Sequence, residues 1–152
     1  MSKGRIKIRP YQDTDFPRLC EIHDRARKDE LALANLEKAF IPLIIAAKRE
    51  NLFGYQIAVA EYDQQIAGFV AFTKEELAWL YVDTNLSGRG IGSKLVAYAL
   101  QFLSRDAEIE VLKGNLPALR LYEKFGFKVK KRLSGVMPGN EQFHVTVNIM
   151  QR

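Results

Sequence analysis

The chain of 152 residues is long enough for one domain with a self-sufficient core, and 47% apolar with 27% charged residues is ordinary globular composition. A single cysteine, Cys20, excludes an internal disulfide, and the longest apolar run, Ala39 to Ala47, is too short for a bilayer and contains Pro42. The basic start, Met1 to Lys7, has no apolar signal core, so a cytoplasmic protein without membrane contact is expected. The formal charge of +5 leaves room for an anionic partner, although Arg25, Arg27 and Lys28, and Lys128, Lys130, Lys131 and Arg132, read first as solvated faces.

Arg5 to Arg9 alternates polar and apolar residues and predicts a first strand stopped by Pro10. Asp13 or Thr14 caps a following helix with Phe16, Leu19, Cys20 and His23 on its inner face. Lys28 to Arg49 is helical in composition, with Leu36, Ala39, Phe40, Leu43, Ile44 and Ala47 at helical spacing. Pro42 either kinks that helix or starts another. Tyr55 to Tyr62 and Gln65 to Thr73 read as a hairpin around Asp63-Gln64, and Leu77 to Val82 as a central strand apolar on both faces.

A glycine-rich turn follows, then a helix in which Ile91, Leu95, Ala99 and Phe102 recur at helical spacing. Ala107 to Leu112 is a strand, and Asn115, Pro117 and Gly126 bound a further helix with a stripe of Ala118, Leu121, Tyr122 and Phe125. Phe127 to Leu133 and Phe143 to Met150 close the chain as strands around a loop from Ser134 to Asn140. The order predicts an α/β fold, with a mixed, mostly antiparallel sheet of about seven strands and helices on both faces. No repeat or linker divides residues 1–152, so one domain is expected.

A central strand that runs through a glycine turn into a helix is a phosphate-binding layout. The first helical turn carries unpaired N–H groups and partial positive charge, and glycine lets a ligand approach the backbone. Gly88, Arg89, Gly90, Ile91, Gly92 and Ser93 supply consecutive amides there, with Arg89 as an additional cation. A Walker loop is excluded because the order is Gly92-Ser93-Lys94, and a dinucleotide fingerprint because Ser93 stands where its third glycine belongs.

Ser87-Gly88-Arg89-Gly90-Ile91-Gly92 resembles the pyrophosphate loop of the GNAT superfamily, the Gcn5-related N-acetyltransferases, with Ser87 where glutamine or arginine is usual. Asn115 to Phe127 resembles that family's Asn-x-x-Ala-x-x-x-Tyr-x-x-x-Gly-Phe segment. The spacing of Glu110, Asn115 and Tyr122 is similar to that in the ribosomal-protein N-terminal acetyltransferases of the superfamily. The resemblance implies a GNAT fold and acetyl-CoA as cosubstrate. Backbone groups of Leu80, Tyr81 and Val82 would pair with the pantetheine arm and polarise the thioester. Gly88 to Ser93 would hold the pyrophosphate, and Asn115 would bond to the cofactor arm or to the sheet beside it. Tyr122 would protonate the leaving thiolate and Glu110 would act as base, with a water relay or another carboxylate as alternatives.

The chemistry supports these roles. Attack on a thioester develops an oxyanion that needs a fixed donor. A tyrosine of pKa ~10 stays protonated and can serve a thiolate of pKa roughly 8.5. Asp83 reads as a turn cap, Glu75 and Glu76 as residues that could line an acceptor site, and His23 and His144 as structural histidines before bases. Trp79 and Tyr81 face either an acceptor cleft or the core. No metal-ligand spacing is present in the sequence, so no metal is expected. The leading expectation is an N-acetyltransferase acting on a primary amine (a small amine, an amino-acid derivative or a protein N-terminus) by direct attack in a ternary complex. A non-catalytic acyl-CoA-binding module and a nucleic-acid-binding domain remain as alternatives, and a homodimer is compatible with the sequence.

Overall fold

The computed structural model describes residues 5–152, so the first four residues of the basic N-terminal stretch and of the expected domain lie outside the described residues. In chain order the elements are β1 (Ile6–Pro10), α1 (Phe16–Leu33), α2 (Leu43–Arg49), β2 (Gln56–Tyr62), β3 (Gln65–Phe72) and β4 (Glu76–Val82). They continue with α3 (Ile91–Leu100), β5 (Glu108–Leu112), α4 (Leu116–Glu123), β6 (Lys128–Met137) and β7 (Asn140–Gln151). The strands form one seven-stranded sheet in the order β1-β2-β3-β4-β5-β7-β6. Every neighbouring pair is antiparallel except β4 with β5. The expected mixed α/β sheet with helices on both faces is what the chain forms.

Alternation along the strands divides the core into two layers. Ala58, Ala60, Val70 and Phe72 meet Ile91, Leu95 and Ala99 of α3 on one face. Val59, Phe69, Ala71 and Trp79 meet Leu19 of α1 and Leu43 of α2 on the other. The β2–β3 hairpin turns at Asp63 and Gln64, whose φ angles of 52° and 72° are those of a type I′ turn matched to strand twist. Among the described residues no helix is long and apolar enough to cross a membrane.

Several elements differ from the sequence expectation. Asp13 and Thr14 lie in a 3-10 turn, Asp13–Asp15, and Asp15 does the fastening: it accepts from the Gln12 N–H at 2.8 Å and pairs with both terminal nitrogens of Arg9 at 2.9 and 3.0 Å. Pro42 starts a new helix at its N-cap, which resets the helical phase. Leu43, Ala46 and Ala47 are therefore buried, while Ile44 is 64% exposed rather than on the inner face. Leu36 to Phe40 form a separate 3-10 turn with its flanks. α3 stops at Leu100, so Phe102 leaves the helical stripe and stacks on Phe72 at 5.4 Å. Ser134 to Met137 continue β6 instead of looping, because Ser134 pairs with Thr146 across β7 and their hydroxyls hydrogen-bond at 2.8 Å.

The departure that creates the site lies in β4. Ala71 pairs with Trp79 but Phe72 pairs with Leu77, so Ala78 is an extra residue on β4, a bulge. β4 pairs with β5 only at Glu76–Glu108 and Leu77–Ile109, and beyond the bulge the two strands part. β4 is central, as expected, but it is not covered on both faces: Ala78 is exposed in the opening.

Candidate active site

The parting of β4 from β5 leaves one strand edge unpaired in the middle of the sheet. Asp83 donates its N–H to the Ala67 carbonyl at 2.7 Å, so the antiparallel alternation turns the backbone of Tyr81 and Trp79 toward β3 as well. The N–H and C=O groups of Leu80 and Val82 point the other way, into the opening. Of the three residues expected to offer backbone groups, Leu80 and Val82 therefore can do so, while the Tyr81 amide is engaged in the sheet. This edge forms one wall of a cleft of about 800 Å³ that continues past the glycine turn to α3 and α4.

The turn closes that cleft at one end. Gly88 and Gly90 have φ angles of +77° and +82°, a conformation open to glycine at little cost, and Gly90 is the N-cap of α3. The first intrahelical bond runs from the Lys94 N–H to the Gly90 carbonyl at 3.1 Å, which leaves the amides of Ile91, Gly92 and Ser93 free at the positive end of the helix dipole. Ser87, Gly88, Gly90, Ile91, Gly92 and Ser93 all line the cleft. Arg89 does not. Its guanidinium lies 5.4 Å from the Tyr62 ring centre and donates to the Tyr62 hydroxyl at 2.9 Å, so the expected extra cation points elsewhere. Lys124 fills that position instead: it lines the cleft with its ammonium 3.5 Å from the Ser93 hydroxyl.

Tyr122 lines the same cleft from α4 and is 5% exposed; its hydroxyl makes no hydrogen bond among the described residues. Burial, with the charge of Glu30 added, pushes its phenol above the ordinary range, so it remains protonated. Asn115 caps α4, accepting from the Ala118 N–H at 3.3 Å, while its amide donates to Glu30 at 3.0 Å. Its side chain is thus tied to α1, across 85 residues of sequence. Glu30 also accepts from Arg27 at 2.6 Å and from the Tyr81 hydroxyl at 3.0 Å. This carboxylate joins α1, β4 and the start of α4, and sequence reasoning missed it. Gly114 makes the approach feasible, since a Cβ there would stand 2.7 Å from the Leu33 carbonyl oxygen.

A second cavity of about 430 Å³ opens on the α1–α2 face of the sheet. It shares Glu30, Leu77, Ala78, Tyr81 and Glu110 with the cleft, so the two cavities meet where the strands part. Glu110 is exposed at that junction. Burial by the flanking walls, then the charges of Glu76 and Glu108, raise its carboxyl above the usual range. Glu76 lines the second cavity and accepts from the Tyr55 hydroxyl at 2.6 Å, whereas Glu75 lines neither cavity. Trp79 and Tyr81 belong to both the core and the second cavity. His23 is buried against Tyr81, and burial lowers its pKa and keeps it neutral despite Asp24. His144 is exposed outside both cavities. Asp83 caps its turn, accepting from the Asn85 N–H at 2.9 Å, and pairs with Arg18 at 2.6 Å. No group of His, Cys, Asp and Glu suited to a metal ion occurs among the described residues.

Comparison with known proteins places this geometry in a family. The model of the acetyltransferase (GNAT) domain matches residues 53–129, from the end of the α1–α2 segment through α4. The peptidyl-lysine N-acetyltransferase YjaB of Salmonella typhimurium is 37% identical over 76 residues, which are 50% of this chain and 51% of that protein. The match thus spans about half the length of this curated relative. A GCN5-related N-acetyltransferase from Rhodopseudomonas palustris superposes with a TM-score of 0.80 at 18% identity, covering 100% of this chain and 98% of that one. The yncA protein of Salmonella typhimurium, a putative acetyltransferase solved with its cofactor acetyl-CoA, has a TM-score of 0.66 at 19% identity over 97% of this chain and 92% of that one. With half of its residues matched by the family model, and with that half supplying the parted strands, the glycine turn and Tyr122, the chain belongs to the GNAT acetyltransferase family.

Proposed function

We propose that this chain is a catalytic N-acetyltransferase, with residues 1–152 acting as one domain, that moves the acetyl group of acetyl-CoA to a primary amine by direct attack. The observation that carries the reading is the opening in the sheet. Cavities from opposite faces meet at Ala78 and Glu110, so a thioester arriving from one side and an amine from the other come together where backbone donors are unpaired. The yncA structure with acetyl-CoA supports the choice of cosubstrate.

Each residue type fits its role on its own chemistry. The free amides of Ile91, Gly92 and Ser93, with Gly88, Gly90 and Lys124, suit a pyrophosphate. Ser87 supplies only a short hydroxyl there, and Arg89 takes no part. Leu80 and Val82 offer N–H and C=O groups to the amides of a pantetheine arm, and an N–H donor for the charge that develops on the carbonyl oxygen. Asn115 shapes the cleft wall through Glu30 rather than by a free amide. Tyr122 donates its proton to the departing sulfur, and Glu110 takes the proton of the incoming ammonium. Cys20 lines neither cavity and burial raises its thiol pKa, which favours direct transfer over an acetyl-enzyme.

Calorimetric titration with acetyl-CoA, against dephospho-CoA and ATP, tests the first half of the proposal, and release of CoA thiol in the presence of amines tests the second. Binding that prefers acetyl-CoA, followed by amine-dependent thiol release, is the expected result. No binding at millimolar acetyl-CoA would overturn the reading.

A further inference from the structure

The second cavity has a composition at odds with the rest of the molecule. The chain carries a net charge of +5, yet this cavity is lined by Glu30, Glu50, Glu76, Glu108 and Glu110 against two guanidiniums, Arg27 and Arg49. Arg27 is already paired with Glu30 at 2.6 Å, and Arg49 donates to the Gly139 carbonyl at 2.9 Å. Glu50, Glu76, Glu108 and Glu110 have no cationic partner among the described residues. Burial pushes Glu50 upward and, although Arg27 opposes this, Glu110 and Glu141 add to it; this is the expected state of carboxylates that repel each other in the absence of a cation.

Two further observations say what kind of cation. These acidic groups form no set suited to a metal ion, and they come from separate walls: Glu76, Glu108 and Glu110 from β4 and β5, and Glu50 from the end of α2. A single point charge does not match that distribution, and an alkyl chain with an ammonium at each end does. Independently, Trp79 is 7% exposed and lines the cavity, and its indole N–H has no hydrogen-bond partner among the described residues. Among the described residues no buried polar side-chain atom is left unpaired, so that N–H is open to solvent and does not tie the ring to another element. The indole face beside it is also a surface to which an ammonium is attracted.

The roof of the cavity decides between a free molecule and a polypeptide. The turn between β6 and β7 folds onto the α1–α2 segment. The Asn140 amide donates to the Ala39 carbonyl at 2.9 Å, Arg49 donates to Gly139, and a Cβ on Gly139 would stand 3.2 Å from the Glu50 side chain. A polypeptide laid across the sheet would have to break these contacts, whereas a cavity of about 430 Å³ is in the range of small-molecule sites.

We infer that the acceptor is a small free diamine or polyamine. Its reacting amine lies at Glu110, where the two cavities meet, and its second ammonium is held by Glu50 and Glu76. This rests on the acetyl-transfer reading, and the atoms balance: the C–S bond breaks and the C–N bond forms. The ammonium gives one proton to Glu110 before attack, and the second proton lost by the nitrogen restores the one that Tyr122 gives to the sulfur. The products are the amide, CoA thiol and one proton released through Glu110.

The test compares 1,4-diaminobutane, 1-aminobutane and a lysine-containing peptide with a blocked N-terminus, by CoA thiol release. Binding of 1,4-diaminobutane is followed in parallel by calorimetry with CoA present. A kcat/KM at least tenfold higher for the diamine than for 1-aminobutane is expected, together with a loss of at least fivefold of that preference in Glu50→Gln. Melting and an acetyl-CoA titration verify that the variant is folded; if it is not, Glu76→Gln takes its place. Equal kcat/KM for the two amines, or preference for the peptide, overturns the inference while leaving acetyl transfer intact. If acetyl-CoA binds but no amine is acetylated, calorimetry decides. Diamine binding that Glu50→Gln weakens keeps the cavity assignment and sinks the transfer reading, and no diamine binding at millimolar concentration overturns the inference itself.

Discussion

Tyr122 is buried in a cleft wall, its hydroxyl has no partner among the described residues and is open to the cleft, and burial, with the charge of Glu30 added, disfavours its ionisation. Tyr122→Phe removes only that oxygen, so turnover should fall at least about a hundredfold, the usual contribution of a positioned acid. Acetyl-CoA affinity and melting temperature should barely change; equal turnover would remove the residue as the acid. As the proposed base, Glu110 would act only when deprotonated, so wild-type kcat/KM should decline as pH drops through a pKa above the ordinary glutamate value of ~4.3. Glu110→Gln should abolish that limb, and its deficit should shrink toward pH ~10, where an alkylamine loses its proton unaided. A profile that keeps the limb would assign the base elsewhere. That both residues line one cleft was legible through the resemblance of the Glu110, Asn115 and Tyr122 spacing to a family pattern carried on one strand–loop–helix segment. Glu30 and Lys124 were not, since one acts across 85 residues and the other reaches back to a helix that sequence spacing leaves unconnected. Arg89 misled for the same reason: position in a loop does not give a side chain's direction.

At the scale of elements, the acceptor side depends on how α2 is fastened. Pro42 cannot donate and no side chain of its own turn caps the helix, but Asp24 of α1 accepts from the Leu43 N–H at 2.9 Å. The same oxygen lies 2.9 Å from His23 Nδ1. Asp24→Ala should cost about 1 kcal/mol, as loss of a helix cap does. Because α2 and its C-cap contribute Ala46, Arg49 and Glu50 to the second cavity, the proposed acceptor side, and nothing to the cleft proposed for the cofactor, KM for the amine should rise several-fold while acetyl-CoA affinity holds. Titrations of the two ligands check this, and a parallel loss of both would show that the faces are not independent. The existence of a helical region here was legible in composition. Its division was not, because Pro42 is compatible with a kink or a start and only packing against α1 selects the start.

For the whole molecule, the decisive feature is that one pair of strands in a seven-stranded sheet comes apart. Hydrogen exchange reads this directly. In the free protein the Leu80 and Val82 amides should exchange much faster than those of Trp79 and Tyr81, which face β3, and acetyl-CoA should protect the fast pair. Uniform protection of all four without ligand would mean that β4 and β5 remain paired. The sequence by itself determined the order of elements, the hairpin around Asp63-Gln64, the glycine turn before α3 and the family motifs, because these depend on periodicity and on residues within a few positions of one another. The tertiary structure alone decided that β4 bulges at Ala78 and parts from β5, that Tyr81 keeps its amide for the sheet, and that glutamates from α1, the C-cap of α2, β4 and β5 converge on one cavity. Strand register and side-chain convergence arise from contacts between distant segments, and no local pattern in a single chain encodes them.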